Sequence, residues 1–165
     1  VLSVRMATAG CHEKGDHMTP NLQITIDCAS PDRLVRFWCS ALGYVPAPPP
    51  SGHPTWRSYY LSLGVPEEEL GDGDSCDRAV DPDGAGPALW FQVVPEPKTV
   101  KNRLHLDLLV TDRSAPWAER RAELVAVRDR LVSLGGDVRL DIPESEDEHL
   151  ACGLHDPEGN EFCLV

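Results

Sequence analysis

The chain has 165 residues, of which 41% are hydrophobic and 25% charged, and its formal net charge is −12. This is the composition of a globular chain, long enough for one ordinary domain or two small modules sharing a core. The acidity repels phosphate backbones and anionic bilayers, which excludes nucleic acid and membranes as expected partners, and no apolar run approaches the roughly 18 residues of a spanning helix.

Val1–Pro20 carries Arg5, His12, Glu13, Lys14, Asp16 and His17 and lacks the sustained apolar core of a secretory signal. It reads as a disordered leader, residues 1–20, with Met18 a more natural start. The six cysteines (Cys11, Cys28, Cys39, Cys76, Cys152 and Cys163) form no Cys-x-x-Cys pair, so zinc ribbons and thioredoxin-like redox chemistry are not supported. Without an export signal, reduced thiols in a cytoplasm are the expectation.

The first predicted strand is Leu22–Cys28, with Gln23, Thr25 and Asp27 on its wet face. Ser30-Pro31-Asp32 then starts a helix, with serine at the cap, proline at the first position and an acid in the first turn. Leu34, Phe37, Trp38, Ala41 and Leu42 recur at helical spacing, and Gly43 ends the helix. Tyr44-Val45 begins a short strand that prolines cut off, and aromatic-rich Trp56–Leu63 reads as another. From Gly64 to Gly84, eight acids face Arg78 as sole base. Asp72-Gly73-Asp74 invites a calcium reading, but Cys76 stands where an oxygen ligand is needed and no glutamate follows at the twelfth position. A solvated, mobile acidic loop is expected there. Asp81-Pro82-Asp83-Gly84 is a turn, and Ala88–Val94 the next strand.

After a linker with Lys98 and Lys101 comes Asn102–Val110, which alternates like a strand, with Leu104, Leu106 and Leu108 on the dry face and His105 and Asp107 on the wet one. A helix follows with a stripe of Trp117, Leu124, Val127, Leu131 and Leu134, ending at Gly135-Gly136. Asp137–Leu140, His149–Leu154 and Asn160–Val165 are the remaining strands, with the turn Asp156-Pro157-Glu158-Gly159 before the last.

Both halves read strand, helix, Leu-Gly, strands, Asp-Pro-acid-Gly, strand. His105 lies 82 positions beyond Gln23, Leu134-Gly135 matches Leu42-Gly43, and Asp156 matches Asp81. Gly43 to Asp81 spans 38 positions and Gly135 to Asp156 spans 21, so the first half carries an insertion of 17 residues. The chain is therefore read as a duplicated βαβββ unit, an α+β fold with modules at 21–95 and 102–165.

The paired modules, the polar residue one place into each first strand, and the stretches Trp90–Glu96, Lys98–Asp107 and Asp156–Cys163 resemble the glyoxalase-like branch of the vicinal oxygen chelate superfamily. The resemblance covers Asn21–Val165 and implies two curled sheets around an open cleft, a homodimer, and a reaction among isomerases, lyases, ring-cleaving dioxygenases or metal-free antibiotic-binding proteins. It also implies metal positions in the first and last strands of each module, which here are Gln23, His105, Gln92 and Cys163. One histidine, two glutamines and a thiol are a weak donor set, so no cofactor is expected, with a divalent metal as the alternative.

Read residue by residue, His105 can move protons near neutral pH, with Asp107 and Glu161 as carboxylate partners in a catalytic set. Trp56, Tyr60 and Trp90 supply flat walls, Gln23, Asp27 and Gln92 polar contacts, and Arg103 positive charge for a small ligand. Two functions follow. One is a glyoxalase-like protein that binds a small molecule between its modules and acts as a lyase or isomerase. The other is metal-free sequestration of a ligand without turnover.

Overall fold

The computed structural model describes residues 20–71, 73–74 and 76–165, so the expectation for the leader falls almost wholly outside the described residues. The fold is α+β, with two four-stranded sheets as the tandem reading requires. The first contains β1 (Gln23–Cys28), β2 (Val45–Pro46), β3 (Arg78–Val80) and β4 (Ala88–Val93), in the order β1-β4-β3-β2. The second contains β5 (Leu106–Leu108), β6 (Asp137–Leu140), β7 (Cys152–His155) and β8 (Glu161–Leu164), in the order β5-β8-β7-β6. Helix α1 (Pro31–Leu42) follows β1; the short α2 (Trp56–Ser62) follows β2; α3 (Trp117–Ser133) follows β5.

In each module the first strand pairs parallel to the last, and the remaining pairs are antiparallel. Thr25 faces Trp90 across the first pair, and Asp107 faces Cys163 across the second. Ala79, two residues before Asp81, pairs with Leu89; Leu154, two residues before Asp156, pairs with Phe162. The two sheets thus repeat one register, in which Thr25 corresponds to Asp107 and Trp90 to Cys163. That agrees with the 82-residue offset in the first strands. It shifts the last-strand match from the expected Gln92 to Trp90.

Helix α1 begins where proline fixes the first helical φ, and ends at Gly43, whose φ of 72° is left-handed and costs glycine no Cβ clash. The expected serine cap is not made by its own side chain. Instead the carboxylate of Glu158 accepts the N–H groups of Ala29 at 2.6 Å and Ser30 at 2.7 Å, an anion on the positive end of α1 supplied by the other module. The α1 stripe packs Phe37 and Trp38 against Phe162 of β8, with ring centroids 5.8 and 5.1 Å away. The indole N–H of Trp38 donates to the buried Asp156 carboxylate at 3.2 Å. Leu89, Phe91, Leu124, Leu131, Leu154 and Leu164 complete a core that both modules share.

Three expectations need correction. Trp56–Leu63 is not a strand: Thr55 and Ser58 form a reciprocal capping box that starts α2, and Trp56, Tyr59 and Tyr60 meet at helical spacing with centroids 5.5–5.8 Å apart. Their β preference reflects packing context, and the local cap overrides it. Arg78–Val80, assigned to the acidic loop, is instead β3, the strand between β2 and β4. The strand expected over Asn102–Val110 is only Leu106–Leu108, and Leu104 is 75% exposed.

Pro48–Ser75 is compact in its own right. Within it, Arg57 organises the acidic segment by donating to the carbonyl of Gly71 and to the carboxylate of Glu67, while its backbone N–H donates to Asp74. Replacing Trp38 by alanine should cost about 3–5 kcal/mol in urea unfolding, because it empties a packed ring and strips a donor from Asp156. Trp90→Ala, at a half-buried position, should cost clearly less; equal losses would contradict the assigned strand faces.

Candidate functional site

The chemistry collects where β5 lies beside β8. Asp107 and Cys163 are register partners, so their side chains leave the same face of the second sheet. His105, one pleat before Asp107, shares that face, and its Nδ1 lies 3.1 Å from Asp107 Oδ1. Donor atoms of His105, Asp107 and Cys163 all fall within 4.8 Å of one another. With Asp107 ionised, the contact is made by a protonated Nδ1, which leaves Nε2 as the free lone pair of a neutral ring.

Beside this cluster is a cavity of about 680 Å³, walled by the edge strand β1, the 94–106 linker and the start of β8. His105 lines it, joining cluster to cavity. The expected ligand residues Asp27 and Arg103 also line it, as do Lys98, Lys101, Glu158 and Glu161. Gln23, Trp90 and Gln92 are not among its lining residues. Gln92 pairs with Asp27 and Ala88 with Gln23, which puts the two glutamines roughly 13 Å apart along the strands; the register does not support their convergence on one point with His105 and Cys163. Trp90 is held by its own module, its N–H donating to Asp77 at 2.8 Å and the Arg78 guanidinium lying 5.6 Å from its ring. Trp56 and Tyr60 belong to the aromatic cluster of α2.

Glu161, expected in a catalytic set, serves as a strut. Its carboxylate accepts the backbone N–H of Asn102 at 3.0 Å and pairs with Lys98 at 3.2 Å, fastening the linker to β8. These contacts, the Asn102 N–H first, hold its pKa down at about 2. A carboxylate this acidic is a poor proton acceptor near neutrality. The thiols elsewhere are suppressed by burial: Cys28 is pushed up to about 12, and Cys39 and Cys152 to about 11. They are packing groups.

Comparison with known proteins places the fold in a family. The profile of the glyoxalase-like domain matches residues 23–165. The chain belongs to the glyoxalase-like domain family. Its fold is that of a hypothetical protein, SA1046, from S. aureus (TM-score 0.56, 12% identity, covering 90% of this chain and 94% of that one). It is also that of a glyoxalase/bleomycin resistance protein/dioxygenase family enzyme from Burkholderia phytofirmans PsJN (0.52, 12%, 86% and 94%). A third similar structure is the fosfomycin resistance protein FosX from Listeria monocytogenes, in complex with Mn(II) and 1S,2S-dihydroxypropylphosphonic acid (0.53, 13%, 89% and 90%). Comparison with curated proteins returns no match. No helix of the described residues is long and apolar enough to cross a membrane.

For a metal in this glyoxalase-like domain, the donors fit on one module only. Imidazole, carboxylate and thiol of His105, Asp107 and Cys163 are close enough to share an ion, whereas Thr25 and Trp90 occupy the corresponding rung of the first sheet. Sequence reasoning did not place Asp107 among the metal-positioned side chains, nor Glu158 at the cavity. The Asp-Pro-acid-Gly turn was the available signal for Glu158.

Because the folded pKa of Glu161 is depressed, its contribution to stability is complete above the ordinary carboxylate range near 4.5 and fades as pH falls toward about 2. Urea midpoints measured from pH 5 to pH 2 should fall less steeply for Glu161→Gln than for the wild type. Parallel curves would mean the strut is not formed.

Proposed function

We propose that this glyoxalase-like protein binds a small oxygenated carbonyl compound in the cavity beside the 94–106 linker and moves a proton on it, as an isomerase or lyase does. The observation that carries this reading is the 3.1 Å contact from Asp107 to Nδ1 of a histidine that lines the cavity. The carboxylate fixes ring orientation and tautomer, so that Nε2 faces outward as a base. Lys101 and Arg103 line the same cavity and can donate to ligand oxygens. A divalent ion held by His105, Asp107 and Cys163 would occupy the Nε2 lone pair and, in place of a histidine base, supply Lewis-acid polarisation of a ligand oxygen. The ligand's own C–H proton, made acidic by a neighbouring carbonyl, is the one His105 takes and returns.

A second reading, sequestration without turnover, draws on the first module. Its matching positions Gln23, Thr25 and Trp90 carry no group that titrates near neutrality. A homodimer is part of the proposal too: β1 and β5 are edge strands in the described sheets, and Leu109 beside β5 is 74% exposed.

The test is carbon-bound deuterium uptake by hydroxyacetone and dihydroxyacetone in D2O, followed by NMR. The wild type should accelerate exchange above buffer, and His105→Ala should remove at least roughly 100-fold of that acceleration. Binding of these probes with no exchange would favour sequestration. Neither binding nor exchange would contradict both readings for this ligand class.

A further inference from the structure

Cys163 differs from the other described thiols in where its sulfur is aimed. Phe162 and Leu164 on either side of it are buried, so its side chain leaves β8 on the wet face, in register with Asp107 of β5. Cys28 and Cys152 are buried, Cys39 packs against the core, and the Cys76 thiol donates to the carbonyls of Ala47 and Arg78. A ring nitrogen of His105, a carboxylate oxygen of Asp107 and Sγ of Cys163 all lie within 4.8 Å of one another. Asp107 engages Nδ1 at 3.1 Å, so Nε2 is the nitrogen left to accept a thiol proton. These are the parts of an activated nucleophile: a thiol, a base within reach of it, and a carboxylate that orients the base. Such contacts are often long in an unliganded site and tighten around the ligand.

Sulfur is a soft, polarisable nucleophile, and its natural target is a soft electrophilic carbon. The β-carbon of a double bond conjugated to a carbonyl is such a centre. Cys163 and His105 stand on one face of the sheet, so they meet this ligand from one side. The cavity of about 680 Å³ that His105 lines leaves the ligand's far end room to turn. Lys101 and Arg103 line the same cavity and can donate to the carbonyl oxygen as it gains charge. With one nucleophile and one base, the cluster suits a reaction that returns both groups to their starting state.

We infer that Cys163 is a nucleophilic catalytic residue, and that the substrate class is a cis α,β-unsaturated ketone or amide, converted to its trans isomer. The inference rests on the reading of His105 as the cavity's proton-transfer group and names the isomerisation it serves. In the forward step the S–H proton passes to Nε2, an S–C bond forms at the β-carbon, and the C=C pair moves to the carbonyl oxygen as an enolate. The former double bond is now single and rotates. In the return step the enolate pair re-forms the double bond, the S–C bond breaks with its electrons on sulfur, and Nε2 gives the proton back. No oxidant, reductant or second substrate enters. An ion on the same three groups would occupy both the sulfur and Nε2, so this is the cluster's ion-free chemistry.

The experiment follows cis-3-hexene-2,5-dione and maleamide, both neutral, to their trans isomers by proton NMR in D2O with the full chain and EDTA. The wild type should isomerise at least one probe roughly 100-fold or more faster than free cysteine at equal thiol concentration. Cys163→Ser and His105→Gln should each fall to about the free-cysteine rate. The wild type alone gives a second reading: the trans product should carry no deuterium at its vinyl carbons, because the α-carbon is never protonated. No acceleration with either probe, acceleration that survives Cys163→Ser, vinyl deuterium, or a rate that requires an added divalent ion overturns the inference. Deuterium uptake by hydroxyacetone in the wild type without isomerisation would refute the thiol's role alone. Isomerisation without that uptake would support the thiol and refute proton transfer from carbon.

Discussion

The parallel pairing of β5 with β8 is the constraint on which the rest of the site depends. Helix α3 returns the chain so that β6 runs parallel to β5, and two antiparallel reversals, β6 to β7 and β7 to β8, leave β8 parallel to β5 and beside it. That topology sets a residue of the chain's last four beside one more than 50 positions earlier, Cys163 beside Asp107. Once Phe162 and Leu164 are committed to the core, Glu161 and Cys163 must face outward, since the strand alternates. A slip of one residue would bury the thiol and the strut carboxylate and expose Phe162. The reactive face is thus held in place by the energetics of the apolar face behind it.

Carboxylates from the turn at 156–161 then tie the modules and the linker together. Asp156 is buried and accepts from the Trp38 indole, the N–H groups of Glu158 and Asn160, and the Asn160 side-chain amide. Glu158 caps α1 of the first module, and Glu161 holds the linker. In the first module Asp81 performs the Asp156 role within its own turn, accepting the N–H groups of Asp83, Ala85 and Gly86. Both modules carry the turn, and in the second its additional acids face the other module and the linker. One short turn thereby places the cavity wall, the helix start and the strand that carries Cys163.

Most of this architecture was legible in the sequence because it repeats. The Leu-Gly helix ends, the Asp-Pro-acid-Gly turns and the polar positions of the first strands gave two modules and the face on which His105 and Asp107 lie. What escaped was set by local chemistry or by long-range contact. Trp56, Tyr59 and Tyr60 look like strand residues until Thr55 and Ser58 are read as a capping box. Arg78–Val80 is hidden by surrounding acids, although it must supply the strand between β2 and β4. Gln92 was matched to Cys163 by counting from turns of unequal length, an error that only the observed pairing of Thr25 with Trp90 corrects.

The account turns on His105 being held by Asp107 with its Nδ1 protonated and Nε2 free, the opposite of the tautomer a solvated neutral imidazole prefers. Long-range proton–nitrogen NMR of the imidazole rings reads this directly, with Asp107→Asn to assign and perturb the signal. The account predicts, above the pH at which the ring loses its charge, a protonated Nδ1 and an unprotonated Nε2 for His105 in the wild type, with that preference lost in the variant. A wild-type His105 carrying its proton on Nε2, or a ring unaffected by Asp107→Asn, would contradict it.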